Sequence, residues 1–161
     1  MNVAGILKQA DIFVDFSDEQ IRTVASICQQ RSFEVGDILF EENSASDELY
    51  IIAAGEVEIL VDPSLVSDRK QSATRPTTIA TLRRGQSFGE IALVDQGLRT
   101  ASARIARPDT LLVIIPRDAL MQLCDQDPIL GFHLMHNLAA DLALKIRNTD
   151  LMMREKLLYA R

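Results

Sequence analysis

The residues with the most chemistry to offer lie between Arg83 and Ala106, in the stretch RRGQSFGEIALVDQGLRTASARIA. Arg99 carries a planar guanidinium whose fork of N–H groups matches two oxygens of one phosphate. Glu90, nine positions earlier, is an acceptor: it would be wasted on a phosphate and suits a sugar hydroxyl. Gly89 lets the backbone come close to a ligand, and the residues after it can close one helical turn whose free N–H groups point at negative charge. An anion clamp and a hydroxyl acceptor this close together suggest a nucleotide.

No other set of side chains competes with this one. His133 and His136 lie three apart on a long helical stretch, so they share a face, but neither has a carboxylate or thiolate beside it to complete a metal site, and solvated helix histidines are the expectation. No Ser/His/Asp or Cys/His constellation stands out, so the chain reads as a non-enzyme with no metal or cofactor of its own. Cys28 and Cys124 are in helix-like surroundings without CxxC spacing and read as free thiols of a reducing cytoplasm.

Around the stretch, hydrophobic periodicity lays out an α+β chain. Ser17 with Gln20 forms a capping box, and Ile21, Val24, Ala25 and Ile27 or Cys28 form the stripe of a helix ending near Gln30. From Ser32 the period changes to two: Phe33, Val35, Ile38, Phe40, Leu49, Ile51, Val57, Ile59 and Val61, broken by turns at Gly36, Asn43 to Asp47, and Gly55. Short strands at this spacing predict an antiparallel sandwich or barrel, and a jelly roll fits. Residues 62–76 read as a solvent loop, Thr77 to Leu82 resumes the sheet, Ser102 to Ile105 and Leu111 to Ile115 add two strands, and Pro116 ends it. Arg117 to Cys124 is a short helix. Asp127 then caps a long one that opens at Pro128 and runs towards Leu158, about 45 Å. The expected division is a helical segment at 1–31, a β-roll at 32–116 containing the 83–106 stretch, and C-terminal helices at 117–161.

The long helix outruns a domain of this size. Met135, Ala139, Leu142, Ile146, Thr149 and Met153 recur at alternating four and three spacing, a heptad-like seam that would pair two copies; the alternative is a helix folded back on its own domain. Seventeen basic against twenty-three acidic residues give a net charge of −6, which argues against a nucleic-acid binder even though residues 142–161 carry a basic surplus. The longest aliphatic run, Leu111 to Ile115, is far too short to span a membrane, and the N-terminus is a poor secretory signal.

The run FGEIAL…RTA resembles the phosphate-binding cassette of cyclic nucleotide-binding domains, found in catabolite activator proteins, protein kinase A regulatory subunits and cyclic-nucleotide-gated channels. FEVGDILFEENSASDELYIIAAGEVEIL, with Gly36 and Gly55, is similar to the family's early strands, and the Asp127-Pro128 helix entry matches as well. The resemblance, over roughly residues 12–145, implies a β-roll (a double-stranded β-helix or jelly roll) flanked by N-terminal helices and a long C-terminal helix. It implies that cAMP or cGMP is the ligand, with Arg99 on the phosphate and Glu90 on the ribose 2′-hydroxyl. Gly89, Ile91, Ala92 and Ala101 would act through backbone N–H groups or by being small. Thr100 would face the phosphate or the base edge, and a hydroxyl there is associated with tolerance of guanine. Ala80 and Leu82 could line the wall against the purine or be ordinary core. Residues near Leu144, Lys145 and Asn148 would cap the base from the C-terminal helix.

In catabolite activators the corresponding helix makes a dimer and leads into a helix-turn-helix DNA reader. This chain stops at Arg161 without one. The expectation is an allosteric sensor acting on an unidentified partner. The alternatives are the ligand-sensing fragment of a transcription regulator, or a family member recruited to another ligand or to protein interaction.

Overall fold

The computed structural model describes residues 2–45, 47–63, 75–94 and 97–159, apart from the side chain of Ala92. Most of the loop expected over 62–76, and Asp95 and Gln96 of the stretch around Arg99, lie outside the described residues.

The chain opens with α1 (Val3–Leu7), a 3₁₀ turn at Asp11–Phe13 and α2 (Asp18–Ile27). Among the described residues eight strands follow with one helical turn among them: β1 (Gln29–Phe33), β2 (Ile38–Phe40), β3 (Glu48–Ala54), β4 (Glu56–Val61), β5 (Thr77–Arg83), β6 (Ser87–Phe88), α3 (Ile91–Val94), β7 (Ser102–Ile105) and β8 (Thr110–Pro116). Then come α4 (Arg117–Gln126) and α5 (Pro128–Tyr159). The strands form two four-stranded antiparallel sheets, ordered β1-β8-β3-β6 and β2-β7-β4-β5. This is the antiparallel roll with flanking helices that the sequence predicts.

β3 and β8 explain the layering. In both, consecutive residues are buried, so alternate side chains enter two different cores. Tyr50, Ile52, Leu112 and Ile114 face into the roll, against Val57, Leu82, Phe88 and Ile105. Leu49, Ile51, Val113 and Ile115 face out, where the helices supply Leu7, Ile21, Leu120, Leu130 and Leu134. The helices and the roll therefore share one sheet as a common wall.

Local signals hold at the helix starts. Ser17 Oγ accepts from the Gln20 amide while the Ser17 amide donates to Gln20 Oε1, a complete capping box. Asp127 Oδ1 accepts from the Ile129 and Leu130 amides at 3.1 Å each, capping α5. Two expectations differ. α2 ends at Ile27, and the chain is already a strand at Gln29, where helix was expected to Gln30. Pairing with β8 in register from Gln29 opposite Ile114 decides this, and β1 itself carries almost no buried side chain that could announce a strand. In β4 a register shift between Ile59 and Leu60 breaks the period-two pattern, so Leu60 is buried where the alternation pointed to Ile59 and Val61.

Candidate functional site

A cavity of about 480 Å³ opens between the second sheet, the segment around α3 and the inner face of α5, within the size range of small-molecule sites (roughly 300–1,000 Å³). Its walls are apolar where Ile59, Ala80 and Leu82 of β4 and β5 meet Phe40 and Phe88. Its floor is Gly89, Glu90, Ile91, Arg99, Thr100 and Ala101. Its roof is α5, through Asp141, Leu144, Lys145, Asn148, Thr149 and Met152. Of the residues singled out in the sequence, Leu82, Gly89, Glu90, Ile91, Arg99, Thr100 and Ala101 are thus brought to one cavity. Ala92 belongs to α3, and its side chain lies outside the described residues.

Arg99 is 6% exposed, and among the described residues no carboxylate forms an ion pair with it. Its Nη1 donates to the Gly89 carbonyl at 3.3 Å and its Nη2 to the Glu48 carbonyl at 3.0 Å; its Nε–H has no partner among the described residues. The guanidinium carbon sits 4.0 Å above the centre of the Phe40 ring and 5.7 Å from that of Tyr50. Burial lowers its proton affinity below the usual arginine range, against the pull of nearby acidic groups. Leaving such a group unpaired costs free energy, so a negative charge beside the guanidinium would be favoured.

The backbone puts it there. The Arg99 amide donates to the Ser44 carbonyl at 2.9 Å, and the Asn43 amide, in a residue at φ 64°, donates to the Arg99 carbonyl at 2.8 Å. The turn after β2, read from sequence only as a turn, is therefore the seat of Arg99. Gly89 has φ 81°, and a Cβ there would come within 2.4 Å of Arg99 Nη1. Glycine is required at this position both for its conformation and for the passage of the arginine.

Glu90 is equally buried, at 6% exposure, and its partner comes from α5. Lys145 Nζ lies 2.8 Å from Glu90 Oε1, 2.7 Å from Asp141 Oδ2 and 3.0 Å from the Ser87 carbonyl. Burial works to lower the Lys145 pKa, but the two carboxylates more than offset it and hold the ammonium above its ordinary 10.5. Leu144 and Asn148 stand over the cavity as the candidates for covering a base do, whereas the Lys145 ammonium is turned to Glu90. Thr149 also borders the cavity, its hydroxyl donating to the Lys145 carbonyl at 2.9 Å.

His133 and His136 are remote from this cavity; the Phe132 ring contacts both, lying stacked on His136. Among the described residues no cluster of three or more His, Cys, Asp or Glu side chains could hold a metal ion, and no helix is long and apolar enough to cross a membrane. Cys28 and Cys124 are free thiols, and burial pushes the Cys28 thiol up to about 12.

The sequence model of the family described as "Cyclic nucleotide-binding domain" matches residues 30–127. The cyclic AMP receptor protein of Thermus thermophilus is 31% identical over 90% of this chain and 61% of its own length. The cGMP-dependent protein kinase isozyme 1 of Drosophila melanogaster is 25% identical over 76% of this chain and 15% of its own length. This chain thus spans less than two thirds of either relative. Among solved structures, a cyclic nucleotide-binding domain from Methylobacillus flagellatus superposes with a TM-score of 0.79 at 28% identity, covering 96% of this chain and 82% of that one.

Proposed function

Because the chain belongs to the cyclic nucleotide-binding domain family, we propose that it binds a cyclic mononucleotide, cAMP or cGMP, in the cavity beneath α5, and acts as a regulatory module rather than an enzyme. The observation that carries this reading is the buried Arg99, which among the described residues has no carboxylate in an ion pair with it and no acceptor for its Nε–H. The cyclic phosphate supplies the missing charge and acceptors. Glu90 takes the ribose 2′-hydroxyl, and the Lys145 ammonium beside it offsets the carboxylate that would otherwise repel the phosphate. Backbone N–H groups at Gly89, Ile91 and Ala92, and the small Ala101, close the floor, with Thr100 on the phosphate or base edge. Leu82 and Ala80 flank the purine.

Signalling follows from α5. One part of the helix is bound to the N-terminal helical segment, where Asn137 Nδ2 donates to the Ile12 and Val14 carbonyls at 3.1 and 2.7 Å, and another roofs the cavity through Lys145. A ligand that binds better with the roof in place shifts the population of that arrangement by its differential affinity, and a downstream partner reads the shift. On this reading the helical segment at 1–31, the roll at 32–116 and the C-terminal helices at 117–161 divide the labour, in a cytoplasmic protein. The exposed stripe of α5, with Phe132, Ile146 and Met153 each more than half exposed, supports a homodimer of two such helices.

Titration calorimetry with cAMP, cGMP and cyclic di-GMP in parallel tests the reading. Micromolar or tighter binding of one cyclic mononucleotide is the expected result, and its base settles the preference. A folded chain that takes up none of them would favour a pocket recruited to another ligand or to protein interaction.

A further inference from the structure

We propose that Phe40 is a positioning residue for anion binding: its ring holds the Arg99 guanidinium in place without consuming the charge that a phosphate needs. The inference rests on the nucleotide reading above and adds a residue to it. A buried arginine is ordinarily fixed by a carboxylate, and that carboxylate then competes with any incoming anion. Here the fixing is done otherwise. Two backbone carbonyls, of Glu48 and Gly89, take one N–H each, and the Phe40 ring lies 4.0 Å beneath the guanidinium carbon. An aromatic face attracts a cation through its quadrupole while leaving the in-plane N–H donors free. Nε–H, without a partner among the described residues, is one of those donors.

The ring is itself held. Phe40 packs against Tyr50 and Phe88, with centroids 5.7 and 6.1 Å away. Those two rings are stacked on each other at 5.0 Å and 9°. Tyr50 Oη donates to Glu48 Oε2, fixing the far edge of the cluster. Phe40 ends β2, three residues before Asn43, whose amide bonds the Arg99 carbonyl. One short segment thus positions Arg99 by its main chain and by its side chain.

The test is a double-mutant cycle on the full chain, read as the affinity for cAMP and cGMP by calorimetry, or by NMR titration where binding is weak. Phe40→Leu keeps an apolar side chain of similar bulk, Phe40→Trp keeps an aromatic face, and Arg99→Gln removes the cation. Phe40→Leu is expected to weaken binding roughly tenfold in the Arg99 background, and less than twofold in the Arg99→Gln background, with Phe40→Trp close to wild type. The Arg99 Nε–H resonance in ligand-free protein should also lose its ring-current shift in Phe40→Leu. An equal loss in both backgrounds, or a loss that Phe40→Trp shares, would mean that Phe40 merely packs the wall, and would overturn the proposal. A wild-type chain that binds neither nucleotide would overturn the nucleotide reading and this role with it, a pattern distinct from failure of the cycle alone.

Discussion

Lys145 and Glu90 are joined across the cavity, Nζ to Oε1 at 2.8 Å, so the C-terminal helix is tied to the carboxylate proposed to bind a sugar hydroxyl. Glu90 is almost wholly buried, and Lys145 is about a third exposed. Removing the ammonium leaves a buried charge without its partner. Lys145→Met should therefore destabilise the ligand-free protein by about 1–3 kcal/mol, measured by urea unfolding at neutral pH. The sign with pH follows from the raised Lys145 pKa. Stability from a raised base is fully present below its ordinary value and is lost as the pH climbs through the folded one. The gap between wild type and Lys145→Met should hold from roughly pH 6 to 9 and narrow only above about 10.5. A gap that closes below pH 9 would show that the ion pair is not its source.

Arg99 is tested by a conservative change. Arg99→Lys keeps the charge but loses the planar fork, the second carbonyl contact and the guanidinium's contact over the Phe40 ring. A charge-assisted bidentate contact is worth about 1.5–3 kcal/mol, so affinity for the cyclic nucleotide should fall roughly 10- to 100-fold while thermal unfolding stays cooperative. Unchanged affinity in calorimetry would mean that the phosphate is held elsewhere.

Gly89→Ala attacks the same contact from the backbone. At φ 81° an L-residue is strained, and the new Cβ would press on Arg99 Nη1 at 2.4 Å and on the Glu48 carbonyl oxygen at 3.0 Å. The backbone term alone costs about 1–2 kcal/mol. Displacing the guanidinium should weaken nucleotide binding by at least tenfold beyond any loss of stability. Gly36→Ala is the control: it has a similar φ of 93° and nothing within 4 Å, so it should lower stability modestly and leave affinity alone.

How much of this could be read from sequence depended on whether the cause was local. The Ser17 box and the Asp127 cap involve residues within a few positions of each other, and their side-chain chemistry announces them. Glu90 and Arg99 were visible for the same reason, being close in the chain. The seat of Arg99 was not. Phe40, the Ser44 carbonyl and the Glu48 carbonyl meet it only because β2 and β3 fold around it, and a phenylalanine in a short apolar strand looks like any core residue. Lys145 was named only as a candidate for capping a base, through the family resemblance, and its tie to Glu90 needed the helix laid across the cavity. β1 was missed in part because it is a strand through its pairing with β8 and not through its own pattern.

The long helix makes the last prediction. Leu130, Leu134 and Leu138 are buried against the domain, and Asp141, Lys145, Asn148 and Met152 continue that face over the cavity. The opposite face carries Phe132, Ala139, Ile146 and Met153 at seven-residue intervals, and all four are exposed. Thr149, expected in the seam, borders the cavity instead, because a straight helix of 3.6 residues per turn drifts against a strict heptad. Folding back, expected as the alternative to pairing, is what the inner face does, and the exposed face leaves a surface on which a second copy could pair. If two copies pair through the exposed face, Ile146→Glu buries or repels a charge twice in each dimer. Loss of about 2 kcal/mol of apolar burial per copy should weaken association by 100-fold or more. Sedimentation velocity should then show wild type as a dimer and Ile146→Glu as a monomer, with calorimetric nucleotide affinity per chain preserved. A wild-type chain that sediments as a monomer at tens of micromolar would rule out that pairing.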